Sequence, residues 1–119
     1  LVENARVSGL KVDIHSDSEL GSLPATVDTA VYRIIQEALT NILRHADATQ
    51  VALTLAIEGQ ALRLEIADNG TTVRGAVTPG SGIAGMTERA RLLGGTLTAQ
   101  ARPDGGFTVS AVLPLKESL

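Results

Sequence analysis

The stretch Tyr32-Arg33-Ile34-Ile35-Gln36-Glu37-Ala38-Leu39-Thr40-Asn41-Ile42-Leu43-Arg44-His45-Ala46 carries two periodicities at once. With the preceding Val31, residues Ile34, Ile35, Ala38, Leu39, Ile42, Leu43 and Ala46 recur at three- and four-residue spacing. At about 3.6 residues per turn, that spacing makes one apolar stripe to be buried against a core. Glu37, Asn41 and His45 fall every fourth residue beside it, so a carboxylate, an amide and an imidazole stack along one flank of the predicted helix. A polar file bordering a buried stripe can hold a site at the edge of a core. Taken alone, it also fits a solvated helix face.

Working outward from this helix, Thr26 is placed to cap it and Asp28 to favour its first turn, so the helix is predicted from Thr26 to His45 or Ala46. Upstream, Leu1 to Ser8 reads as a helix tail ending at Gly9. Leu10-Lys11-Val12-Asp13-Ile14-His15 alternates with the period of a strand buried on one face, and Ser16 to Pro24 is turn-rich. Downstream, Val51, Leu53, Leu55 and Ile57 share one face of a strand. Gly59 marks a hairpin turn, and Leu62, Leu64 and Ile66 continue the alternation in the next strand. Thr71 to Ser81 is a polar loop with Gly and Pro. Gly82 to Leu93 has helical spacing at Ile83, Met86, Ala90 and Leu93, and Gly94-Gly95 stops it. Leu97 and Ala99, then Phe107, Val109, Ala111 and Leu113, define two last strands around the turn Pro103-Asp104-Gly105-Gly106. The order is helix, strand, helix, two strands, helix, two strands. It predicts an α/β sandwich, a mixed and largely antiparallel sheet with helices layered on one face.

The 119 residues suit one domain with a single core, built from Leu, Ile, Val and Ala because the chain holds only one Phe and one Tyr. The net charge of −3 arises from interleaved acids and bases. No basic stripe is present, which argues against a nucleic-acid partner. The absence of cysteine excludes disulfides, thiolate metal sites and thiol catalysis. No apolar run is long enough to span a bilayer, and the N-terminus lacks the order of a signal peptide. The expectation is a soluble, cytoplasmic domain without membrane contact, cut from a longer protein that could be membrane-anchored.

Three separated segments have complementary chemistry. A hard cation such as Mg²⁺ takes oxygen ligands and keeps several waters, so the amide oxygen of Asn41 together with phosphate oxygens would be a sufficient ligand set. Glu37, one turn away, could orient or deprotonate an attacking group. Asp68-Asn69-Gly70 ends a strand; a carboxylate there can accept a hydrogen bond from an exocyclic amine such as adenine's, and the glycine lets a flat ring approach the backbone. The same tripeptide also fits an ordinary turn. Gly80-Ser81-Gly82-Ile83-Ala84-Gly85-Met86 opens a helix, where unpaired N–H groups can face an anion such as polyphosphate. A flexible loop beside a tight packing site is its other reading.

In this order and spacing, Tyr32 to Ala46 resembles the N box of the ATP-binding domain of sensor histidine kinases. Asp68-Asn69-Gly70 resembles the G1 box, and Gly80 to Met86 the G2 box. Arg33 to Asn41, and Gly85-Met86-Thr87-Glu88-Arg89-Ala90 through Leu93-Gly94-Gly95, are similar to the subfamily that includes nitrate and membrane-fluidity sensor kinases. The resemblance covers nearly the whole chain. It implies the Bergerat (GHKL) fold, with ATP and Mg²⁺ as cofactors. It further implies Asn41 as the Mg²⁺ ligand, Glu37 as the residue assisting transfer, Arg44 and His45 near the phosphates, and Asp68 with Gly70 at the adenine. Gly80, Gly82, Ile83, Gly85 and Met86 would form the lid and helix closing on the phosphates. The implied reaction moves the γ-phosphoryl group to a histidine on a separate dimerisation domain, and from there to a response regulator. The intact kinase would be a homodimer.

Neither His15 nor His45 resembles the acceptor, so the isolated chain is expected to bind ATP without autophosphorylating. An anti-sigma-factor serine kinase of the same fold and a non-catalytic nucleotide-binding module are the competing expectations. The sequence departs from the family pattern at Thr72, where a second G1 glycine usually stands, and at Phe107, where the last strand usually carries Thr.

Overall fold

The computed structural model describes residues 9–16, 23–45, 48–70, 83–103 and 105–115, the side chains of residues 44 and 45 excepted. The expected helix tail over Leu1–Ser8, the loop from Thr71 to Ser81, and Ala46, Gly80 and Gly82 lie outside the described residues. Those described form β1 (Lys11–Ser16), α1 (Ala25–His45), β2 (Gln50–Glu58), β3 (Ala61–Asp68), α2 (Ile83–Leu92), β4 (Thr96–Ala101) and β5 (Phe107–Pro114). The strands make a five-stranded sheet in the order β1-β2-β3-β5-β4. Only β1 and β2 pair in parallel, across the α1 crossover that such a pair needs. The other three pairs are antiparallel, which the short Gly59-Gln60 and Arg102–Gly106 connections require of β2–β3 and β4–β5.

Register aligns the alternating apolar residues into one buried sheet face: Leu53 opposite Ile66, Leu62 opposite Leu113, Leu64 opposite Ala111, and Ile66 opposite Val109. Val27, Ala30, Val31, Ile34, Ile35, Ala38, Leu39 and Ile42 of α1 and Ile83, Met86 and Ala90 of α2 join them in one core. Both helices therefore cover the same sheet face, as the strand and helix periodicities required. Much of α1 is β-branched, with modest intrinsic helix propensity, so burial of this stripe rather than local preference stabilises it.

Three local expectations are corrected. The cap of α1 is two residues earlier than Thr26: the Pro24 carbonyl accepts the first helical bond, from the Asp28 N–H at 2.9 Å, and Thr26 lies inside the helix. Leu43 is 45% exposed. It lies eleven residues beyond Tyr32, about three full turns, so both occupy the same outer flank of α1. Finally, only the first half of β1 is buried. Leu10 and Val12 enter the core, whereas Ile14 is 44% exposed although its neighbour Leu53 is 2% exposed; helix cover ends at this edge strand.

Helix α2 stops through paired carbonyl capping. Gly94 has φ of +80°, its N–H donates to the Arg91 carbonyl at 2.9 Å, and the Gly95 N–H donates to the Ala90 carbonyl at 2.8 Å. This Schellman arrangement needs a left-handed residue at Gly94, which explains why the sequence signal there was decisive.

Candidate functional site

Residues from four elements meet at a narrow cleft: Ala38, Asn41 and Ile42 from α1, Ile66 and Asp68 from β3, Ile83 from α2, and Phe107 and Val109 from β5. Five of the walls are aliphatic and one is aromatic. Asp68 is 2% exposed, the single buried polar or charged residue among the described residues. A carboxylate removed from water is costly unless it accepts hydrogen bonds. Here the Gly70 N–H donates to Asp68 Oδ1 at 2.8 Å, holding the carboxylate at the end of β3.

The backbone around Asp68 is held from two sides. On one, the Asn69 side chain and N–H bond to Thr49 and Gln50 at the start of β2. On the other, the β4–β5 connection closes in: Gly106, with φ of +95°, packs so tightly that an added Cβ would overlap the Asp68 carbonyl oxygen. Arg102 also donates from Nη1 to that carbonyl at 3.4 Å. Phe107 pairs in register with Asp68, which brings its half-buried ring into the cleft wall.

The fold thus brings together Asn41, Asp68 and Ile83 from the sequence-predicted set, with Gly70 bonded to the Asp68 carboxylate. Glu37 is exposed one turn before Asn41 on α1 and does not line the cleft. Met86 is fully buried in the core, and Gly85 lies on the exposed side of α2 with open space where a side chain would stand. Gly80, Gly82 and the side chains of Arg44 and His45 lie outside the described residues. Sequence reasoning missed Gly106 and the bonding role of Asn69. Gly105-Gly106 had been read only as a turn, and Asn69 only as part of one. His15 is exposed on β1.

The donor set suits a purine nucleotide. An apolar, partly aromatic slot with one buried carboxylate matches a flat ring carrying an amine. The enclosed space is only about 20 Å³, so a bound ring would have to part these walls, and a ribose and phosphates would extend beyond them. Among the described residues no group of three His, Cys, Asp or Glu could hold a metal ion. The Asn41 amide oxygen could serve a hard cation together with the phosphates of a nucleotide. Among the described residues no helix is long and apolar enough to cross a membrane.

Comparison with known proteins places the chain in a family. The chain is 44% identical over 94 residues to the sensor histidine kinase YxjM of Bacillus subtilis, covering 79% of this chain and 23% of that protein. It thus spans about a quarter of the relative's length. Its fold matches the blue-light activated histidine kinase of Erythrobacter litoralis EL346 with a TM-score of 0.76 at 21% identity, over 96% of this chain and 42% of that one. The catalytic domain of histidine kinase ThkA matches with a TM-score of 0.73 at 14% identity, over 96% of this chain and 84% of that one. The sequence model of the histidine kinase-, DNA gyrase B- and HSP90-like ATPases matches residues 26–117, from the start of α1 past the end of β5. With that match over most of its length, the chain belongs to this family of nucleotide-binding ATPase domains.

Proposed function

We propose that the chain is the ATP-binding catalytic part of a sensor histidine kinase, transferring the γ-phosphoryl group of ATP to a histidine on a separate dimerisation domain. The observation that carries this reading is the burial of Asp68 in the slot that also receives Asn41. The Asp68 carboxylate accepts a hydrogen bond from the adenine amine, and Phe107, Ile66 and Ile83 pack around the ring. Asn41, toward the C-terminal end of α1, offers its amide oxygen to Mg²⁺. When bound there, the cation would supply charge neutralisation to the phosphates.

In the transfer step an imidazole nitrogen of the acceptor bonds to the γ-phosphorus as the bond to the β–γ bridging oxygen breaks. ADP leaves and the histidine becomes a phosphoramidate. Glu37, exposed beside Asn41, faces outward where a second domain can reach it, and it takes the proton that the attacking imidazole sheds. Such a reaction asks mainly for positioning and charge neutralisation, so no covalent nucleophile is needed in this chain. Gly80, Gly82 and Gly85 would let the backbone approach the phosphates, the α2 start at Ile83 would face them while buried Met86 anchors that turn in the core, and Arg44 and His45 would lie beside them. A response regulator then receives the phosphoryl group, and the intact kinase is a membrane-anchored or cytoplasmic homodimer.

The test mixes this chain with γ-labelled ATP, Mg²⁺ and a helical, histidine-bearing dimerisation domain of a sensor kinase. Acid-labile, base-stable label on that domain is expected. Absence of label there, with acid-stable label on an anti-sigma antagonist instead, would assign the chain to serine kinase chemistry.

A further inference from the structure

The residue between Asp68 and Gly70 makes more directed bonds than a turn asparagine requires. Asn69 is exposed, yet its Oδ1 accepts the N–H of Thr49 at 2.9 Å and that of Gln50 at 2.9 Å. Its Nδ2 donates to Thr49 Oγ1 at 3.0 Å, and its own N–H donates to the Gln50 carbonyl at 3.2 Å. The two N–H donors at one end and the hydroxyl at the other suit only this orientation of the amide.

The partners matter as much as the count. Thr49 and Gln50 close the short connection from α1, whose last turns carry Asn41. Asn69 therefore ties the end of β3, where the carboxylate stands, to the segment leaving the Asn41 helix. Gly106 blocks movement of the Asp68 carbonyl on the opposite side, and the Gly70 N–H fixes the carboxylate. Asp68 itself uses none of these bonds to Thr49 or Gln50. Its orientation depends on them because it shares a peptide unit with Asn69.

We infer that Asn69 is a positioning residue for adenine selectivity: by pinning the Asp68–Gly70 turn to the α1–β2 connection, it holds the Asp68 carboxylate where it meets the exocyclic amine. This rests on the adenine role proposed above for Asp68. A merely structural Asn69 would support every nucleotide equally. A positioning Asn69 acts selectively on the amine contact.

The experiment measures binding of two ligands to this chain by calorimetry: an ATP analogue with a non-hydrolysable β–γ bridge, and the same compound with hydrogen replacing the 6-amino group. In the Asn69→Ala variant, affinity for the amine-bearing ligand should fall about tenfold, the worth of one directed hydrogen bond, while affinity for the other is unchanged. Asn69→Asp keeps an acceptor for both N–H groups and should restore most of the selectivity. Thr49→Val deletes only the Oγ1 acceptor, leaves the backbone bonds in place, and should lower the ratio about threefold. Equal losses for both ligands, or selectivity unchanged in all three variants, would overturn the inference. A wild-type chain that binds both ligands equally would instead overturn the adenine role of Asp68, and the positioning role with it.

Discussion

Gly106→Ala isolates the close packing that holds the Asp68 turn, and its cost can be worked from two terms. Gly106 has φ of +95°, a conformation that costs an L residue about 1–2 kcal/mol. Its added Cβ would also overlap the Asp68 carbonyl oxygen and stand 3.1 Å from the Asp68 carbonyl carbon. Those neighbours are backbone and cannot rotate away, so the overpacking adds about 1–3 kcal/mol. The total is about 2–5 kcal/mol, or roughly 8–20 °C in Tm for a chain of this size. Gly105→Ala is the internal control. Gly105 has nearly the same φ of +98°, but its Cβ would meet only the Gly70 carbonyl oxygen at 3.7 Å, an ordinary contact. It should show the conformational term alone, about 1–2 kcal/mol. Thermal and denaturant unfolding of both variants measures the difference. If Gly106→Ala proves no less stable than Gly105→Ala, the close approach to Asp68 does not constrain the turn and the account of the site's rear wall fails.

The core and the outer flank of α1 should separate cleanly: Ile34→Ala, at 0% exposed, should cost about 2–5 kcal/mol, whereas Leu43→Ala, at 45% exposed, should cost about 1 kcal/mol or less by denaturant titration. Glu37→Gln should lower the rate of transfer to the acceptor domain by about a hundredfold or more, with nucleotide affinity nearly unchanged in calorimetry; a matching loss of affinity would place Glu37 in binding instead. Asn41→Ala should remove most of the Mg²⁺ dependence of nucleotide affinity, and equal affinity with and without Mg²⁺ in the wild type would remove Asn41 from that role.

The architecture was readable where periodicity and punctuation agree. Leu62, Leu64 and Ile66 alternate because one sheet face is buried, and Gly94-Gly95 ends α2 because the chain must turn left-handed there. Edges were harder. Ile14 follows the same apolar spacing as buried Val12, and what exposes it is where the helices stop covering the sheet, which spacing does not encode; Leu43 instead shares the outer flank of α1 with Tyr32. The start of α1 was misplaced because a hydroxyl at Thr26 resembles a cap, whereas the backbone carbonyl of Pro24 makes the first bond. At the site, Asn41 and Asp68 were legible as unusual polar residues beside apolar runs. Gly106 and Asn69 were not, since their roles depend on contacts spanning about 38 and 20 residues of chain, respectively.

The central claim is that Asp68 and Asn41 face a bound nucleotide in one slot. Titration of the isotopically labelled chain with a non-hydrolysable ATP analogue and Mg²⁺, followed by nuclear magnetic resonance, tests it directly. The largest shifts should fall on the Gly70 N–H, the Asn41 side-chain amide, Ile66, Ile83 and Phe107, and Asp68→Asn should weaken binding about 10- to 100-fold, the range for a hydrogen bond to a charged group. Shifts gathered instead around Ala25, Thr29 and Leu92, which line the groove between the start of α1 and the end of α2, with Asp68→Asn binding as the wild type does, would contradict it.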